Sequence, residues 1–128
     1  MRKLFDVSGK VALVTGGSRG IGAMIAEGFV ANGVKTYISA RKADACDATA
    51  ARLSEYGQCI SIPADLSTVE GAHHLANAIK AREPKLDILV NNAAIIKNQQ
   101  MEDITESDWD EVLEVNLKSV FLMTQAIL

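Results

Sequence analysis

Two short stretches of this 128-residue sequence combine residue types and spacing that suit phosphate chemistry. The first is Thr15-Gly16-Gly17-Ser18-Arg19-Gly20-Ile21-Gly22, which follows the compact apolar run KVALVT at residues 10–15 and precedes a helical pattern. Glycines at a strand-to-helix turn let the backbone come close to a pyrophosphate. The helix behind them adds unpaired N–H groups and the positive end of its dipole. The placement at the first βα turn of a βαβ unit is the context that such a motif requires; the alternative is a tight glycine turn with no ligand. The second stretch is Asn91-Asn92-Ala93-Ala94, which follows the apolar run LDILVN at residues 86–91. Its alternative reading is a plain turn.

A third group sets cofactor preference. An acid at the end of the second strand, roughly 20 residues past the glycine turn, would take the ribose 2′-hydroxyl of NAD. This sequence has Ser39-Ala40-Arg41-Lys42 there, with Arg19 inside the glycine turn. Forked arginine donors suit a phosphate dianion, so NADP(H) is the expected cofactor. The alternative makes Arg41 and Lys42 a solvated pair, although cations at a helix start oppose its dipole. Asn116, between Val115 and Leu117 on an apolar helix, is a polar amide that needs partners. Other candidates carry less. Adjacent helical residues such as His73 and His74 point about 100° apart and do not share a metal, so no metal site is expected. Cys46 and Cys59 read as small apolar residues, and Trp109 and Phe121 as packing or interface residues.

The elements that must position these groups alternate. Strands at 10–15, 34–40, 58–64 and 86–91 are separated by helical patterns. The first helix aligns Ile21, Ile25 and Phe29 as its apolar face and stops at Asn32-Gly33. The second, over 43–56, aligns Cys46, Ala50 and Leu53. The third opens at Ser67-Thr68-Val69-Glu70, which has the form of a capping box, and carries Val69, Ala72, Ala76 and Ile79. After a loop over 92–101, a second box at Thr105-Glu106-Ser107-Asp108 opens a helix that runs to Leu128. This β-α-β-α-β-α-β-loop-α order predicts a doubly wound parallel sheet, three layers α-β-α, over residues 1–128 as a single dinucleotide-binding domain. In strand order 3-2-1-4 the glycine turn and Asn91–Ala94 become two walls of one crevice at the switch point.

Composition agrees with a globular core: 48% hydrophobic and 23% charged residues, net charge −3. That balance argues against a nucleic-acid partner. No window approaches the roughly 18 apolar residues of a membrane span. The polar start, with Arg2 and Lys3, has no apolar run for a signal peptide, and a cytoplasmic location is expected.

The spacing T-G-x-x-x-G-x-G, Asp65-Leu66 after the third strand, Asn91-Asn92-Ala93-Ala94 after the fourth and Asn116 on the last helix together resemble the short-chain dehydrogenase/reductase family. The resemblance implies a Rossmann fold with Gly16, Ser18, Arg19, Gly20, Ile21, Gly22, Arg41, Lys42, Asp65, Leu66, Asn92, Ala93 and Ala94 as cofactor-binding residues. It implies hydride transfer between a nicotinamide and a ketone or secondary alcohol. Asn116 would be the one catalytic residue present, holding a helix distortion and a water that relays protons; a structural amide bonded to backbone is the other reading. Ala94 stands where the family has glycine, which narrows the space for backbone approach.

The family's serine and Tyr-x-x-x-Lys would lie downstream. Tyr37 and Tyr56 are the two tyrosines, and neither has lysine four positions on. Residues 1–128 alone are therefore expected to be inactive, the N-terminal portion of a longer domain. Within the family the sequence looks closest to bacterial 3-oxoacyl reductases, implying a 3-oxoacyl thioester substrate. Sugar or small-ketone reductases are the alternative, and a non-catalytic NADP-binding module is a third reading. The nearly all-round apolar helix ending at Leu128 implies self-association as a dimer or tetramer.

Overall fold

VALVT is apolar at nearly every position, so a strand built from it needs cover on both faces and belongs inside a parallel sheet. In the computed structural model, which describes residues 3–128, Val11–Thr15 forms β1 at that position and Ala12 to Thr15 are all buried. Met1 and Arg2 of the polar start lie outside the described residues. Helix α1 (Gly20–Ala31) returns the chain to β2 (Lys35–Ser39), α2 (Ala43–Leu53) leads to β3 (Cys59–Ser61), and α3 (Val69–Arg82) leads to β4 (Ile88–Val90). The four strands are ordered β3-β2-β1-β4 and every pairing is parallel, with Val14 opposite both Ile38 and Val90. This is the doubly wound Rossmann arrangement expected from the alternation of elements.

Two apolar clusters cover the two sheet faces. Val14 and Ile38 pack with Ala26 and Val30 of α1 and with Cys46, Ala50 and Leu53 of α2. Leu13 and Tyr37 pack on the other side with Leu75 and Ile79 of α3 and with Met123 of the last helix. At the sheet's lower end, Glu83 accepts from the Tyr37 hydroxyl at 2.5 Å and pairs with Lys35 at 2.6 Å, which pins β2 to the end of α3.

Several local expectations are corrected. The sheet-facing side of α1 is Gly22, Ala23, Ala26 and Val30, while Ile21 is 70% exposed and Ile25 and Phe29 sit at the margin of the cluster. Small residues let α1 approach the sheet, and they carry too little hydrophobicity to reveal that face in a pattern. The cap of α3 is Thr68, whose Oγ1 accepts from the Gly71 N–H at 2.9 Å. Ser67, expected as the cap, instead donates to Asp65. Gly71 is required there, because a Cβ would stand 1.7 Å from the Asp65 carbonyl oxygen. The ladders of β3 and β4 are shorter than the apolar runs, although Ile62 and Ala64 still donate to Ile38 and Ala40. Helix α2 stops at Leu53, three residues before the expected end at Tyr56.

The final helix is one path with a defect. A short 3-10 turn (Met101–Asp103) precedes α4 (Glu106–Leu113), whose capping box of Thr105 and Asp108 forms as its spacing predicted. A π-helical segment, Glu114–Lys118, then leads into α5 (Ser119–Ile127). Met123 is buried, whereas Leu117 and Phe121 are 66% and 62% exposed. Among the described residues no helix is long and apolar enough to cross a membrane.

Candidate functional site

The cleft is assembled at the carboxyl ends of the paired strands β1 and β4, where the chain leaves toward opposite faces of the sheet. Thr15 closes β1 with a buried hydroxyl that donates to the Val90 carbonyl and accepts from the Asn92 and Ala93 N–H groups at 3.0 and 3.1 Å. The Asn92 side chain donates to the Gly16 carbonyl at 3.1 Å. The glycine turn is held from behind as well: Gly17 N–H donates to Ser39 O, and the Thr49 hydroxyl of α2 donates to Ser18 O at 2.7 Å. Gly16 and Gly20 have φ of +66° and +58°, a region that favours glycine. Gly22 is needed for a different reason: a Cβ there would meet Gly16 O at 2.1 Å and Asn92 Nδ2 at 2.5 Å.

This arrangement encloses a cleft of about 400 Å³. Gly16, Ser18, Arg19 and Gly20 form one wall, and Asn92, Ala93 and Ala94 form the opposite one. Ser39, Ala40, Arg41 and Lys42 continue from β2, and Asp65 and Leu66 close the far end after β3. Of the expected cofactor-binding residues, Ile21 and Gly22 do not line the cleft; Ile21 faces outward and Gly22 supports the turn from beneath. Asn91 of the Asn-Asn pair turns away, its amide donating to Thr124 on α5. Ala94 stands in the cleft wall, and no described non-glycine residue, Ala94 included, has a positive φ.

The electrostatics favour an anion at one end. Among the described residues no acid stands in the first turn of α1, and Arg19 at its N-cap makes no side-chain cap bond. The helix end therefore has no negative group of its own to balance its dipole. No carboxylate stands at residues 39–42. Arg41 is 59% exposed and lies 3.9 Å from Glu111 of α4, which is also paired with Lys97 at 3.0 Å. Asp65 accepts from the Ser67 hydroxyl at 2.6 Å and the Ser67 N–H at 2.9 Å. Those bonds hold its carboxyl below the ordinary value, against some desolvation, with a smaller pull from Arg41.

Asn116 lies in the π-helical segment and is exposed rather than buried. Its amide makes a reciprocal pair with one backbone unit: Nδ2 donates to Ile95 O at 2.9 Å, and Oδ1 accepts from Ile95 N–H at 2.8 Å. The helix defect and the loop after Ala94 are thus joined, and Ile95 lines the cleft. Neither tyrosine reaches it: Tyr37 is buried beneath the sheet on Glu83, and Tyr56 follows α2 on the surface. His73 and His74 are exposed on α3. Cys46 and Cys59 are buried, and burial pushes the Cys59 thiol up to about 11.

Thr49 and Glu111 were not singled out by sequence, and Thr15 stood in the quoted turn motif without a role of its own. Thr15 and Thr49 act through backbone atoms of the glycine turn, a role that leaves little trace in spacing. Ser39 stood in the Ser39-Ala40-Arg41-Lys42 run without a role of its own.

The family model described as short chain dehydrogenase matches residues 10–128. The chain belongs to the short-chain dehydrogenase family. Among its relatives, the rhamnolipids biosynthesis 3-oxoacyl-acyl-carrier-protein reductase of Pseudomonas aeruginosa is 48% identical over 128 residues, covering 100% of this chain and 50% of that protein. D-threitol dehydrogenase of Mycolicibacterium smegmatis is 36% identical over 124 residues, covering 96% of this chain and 48% of the relative. In three dimensions, this short-chain dehydrogenase chain superposes on the Pseudomonas aeruginosa RhlG/NADP active-site complex with a TM-score of 0.92 at 48% identity, over 99% of this chain and 50% of that one. The chain spans about half the length of the relatives it matches.

Proposed function

We propose that this short-chain dehydrogenase chain binds NADP(H) and forms the cofactor-holding half of a carbonyl reductase, with a 3-oxoacyl thioester as substrate. The observation that carries the reading is the trio Arg19, Arg41 and Lys42 lining one cleft whose β2 end holds no carboxylate. The residues fit the cofactor: the glycine turn removes the side chains that would block a pyrophosphate, and the uncompensated start of α1 faces it. Arg41 and Lys42 flank the place for a 2′-phosphate, and Asp65-Leu66 the place for the adenine end. The bound nicotinamide would supply the hydride for a carbonyl carbon.

The chain's own residues position and enclose. Asn92 and Thr15 hold the two walls at a fixed separation. Asn116, in the π-helical segment Glu114–Lys118, is a positioning residue that acts on the site by fixing Ile95 in the cleft wall. The likeness to a 3-oxoacyl reductase over the whole chain supports the substrate class. D-threitol dehydrogenase supports the second reading, a polyol or sugar substrate.

The test is calorimetric titration of the chain with NADPH and NADH, followed by turnover of 3-oxoacyl thioesters and of polyols by the protein that carries this chain. Tighter NADPH binding and thioester reduction are expected. Equal affinities overturn the cofactor assignment, and polyol oxidation alone transfers the substrate assignment to the second reading.

A further inference from the structure

Arg41, just beyond β2, and Lys97, on the loop between β4 and α4, share one carboxylate. Glu111 of α4 turns Oε1 toward Arg41 at 3.9 Å and Oε2 toward Lys97 at 3.0 Å. Three separate parts of the fold therefore meet at a single side chain. Arg41 lines the cleft, whereas Glu111 and Lys97 stand behind the lining.

The neighbouring acids are committed elsewhere. Asp65, which also pulls on Arg41, accepts from the Ser67 hydroxyl and N–H. Asp108 lies 3.9 Å from Lys97 and is held by the Thr105 N–H in the capping box of α4. Residues 91–100 form no helix or strand. Beyond Ala94 that loop is tied to the helices through Ile95, bonded to Asn116, and through Lys97 on Glu111. Ile95 is part of the cleft wall, so whatever holds Lys97 also holds the wall two residues away.

A phosphate dianion offers Arg41 more than Glu111 does. Charge-assisted, forked bonds from arginine to phosphate are strong, whereas an exposed ion pair at 3.9 Å contributes little. A dianion bound at Arg41 therefore draws it from Glu111, whose charge is then left to Lys97.

We propose that Glu111 is a positioning residue that couples the phosphate end of the cofactor to the opposite cleft wall. A 2′-phosphate on Arg41 hands the carboxylate to Lys97, which then holds the loop of Ile95 more firmly on α4. The coupling is reciprocal, because two linked equilibria shift each other by the same factor. A carboxylate engaged by Lys97 competes less for Arg41. The proposal rests on the NADP(H) reading above.

The experiment is a double-mutant cycle of wild type, Glu111→Gln, Lys97→Met and the double variant. Each is titrated calorimetrically with 2′,5′-ADP and with adenosine 5′-monophosphate, which lacks the 2′-phosphate. Lys97→Met should bind 2′,5′-ADP about twofold more weakly, the scale of one exposed ion pair, and Glu111→Gln should bind it more tightly by a similar factor. In the Glu111→Gln background, Lys97→Met should have no further effect, because the group that links them is gone. Charge acting at a distance would instead make the two effects add. Affinity for the monophosphate should not change. In the wild type alone, 2′,5′-ADP should slow amide hydrogen exchange at residues 96–99, and the monophosphate should not. Additive effects in the cycle, or exchange slowed equally by both nucleotides, overturn the proposal and leave the NADP(H) reading in place. A wild type that binds 2′,5′-ADP no better than the monophosphate overturns that reading and this inference together.

Discussion

The Thr15 hydroxyl and the Asn92 backbone lie 3.0 Å apart, and through them the end of β1 is bonded to the turn after β4. The same oxygen accepts from Ala93 and donates to Val90, so one side chain holds three backbone groups of the opposite wall. Thr15→Val keeps the shape and removes every one of these bonds. The half-buried Ala93 N–H would lose its partner, while the Asn92 N–H keeps the Val90 carbonyl, and the chain should lose about 1–3 kcal/mol of stability. Urea unfolding should show a lowered midpoint with an unchanged slope, and NADPH affinity should fall with it. A variant as stable as the wild type would show that Asn92 alone sets the cleft width.

Arg41 has two prospective anionic partners, Glu111 at 3.9 Å and the 2′-phosphate of the cofactor. Arg41→Ala should weaken NADPH by about 1.5 kcal/mol or more, roughly tenfold, with little change for NADH. Glu111→Gln should move in the opposite direction by a smaller factor, because it removes a negative charge near the same site and leaves Arg41 in place. The exposed pair itself contributes little to stability. Titration of both cofactors against both variants checks this; an unchanged preference in Arg41→Ala would remove it from the phosphate site.

Leu117 and Phe121 are two-thirds exposed on the last helical path, with Trp109 exposed on α4. We expect the chain to associate through this surface, since exposed aromatic and leucine side chains on one helix favour a self-complementary contact. Light scattering at micromolar concentration should report a dimer or tetramer, and Phe121→Glu should shift it toward monomer while the melting profile stays cooperative. A monomeric wild type would count against this reading.

Residues 1–128 in isolation should bind cofactor without turning substrate over. Neither tyrosine lines the cleft: the Tyr37 hydroxyl is bonded to Glu83 and Tyr56 is exposed beyond α2. A positioned acid or base contributes about 10²–10⁴-fold to such a reaction. Following NADPH absorbance with 3-oxoacyl thioesters checks this. Steady oxidation by the purified chain would place the proton donor within these residues.

Element order, parallel pairing and the walls of the cleft were legible in the sequence because they depend on local chemistry: apolar runs of strand length, glycines at the first βα turn, and an Asn-Asn pair at a strand end. The cap at Thr105 and Asp108 was legible for the same reason, being a contact across three residues. The sheet-facing side of α1 was not, since Gly22, Ala23 and Ala26 are selected by closeness to the sheet and not by hydrophobicity. The α3 cap moved by one residue because Asp65, outside the helix, takes the Ser67 hydroxyl. Only the tertiary structure could join Asn116 to Ile95, bring Glu111 toward Arg41, and leave the Ser39 hydroxyl buried without a partner. Each of these depends on how separate elements approach one another, and a spacing along the chain carries no record of that.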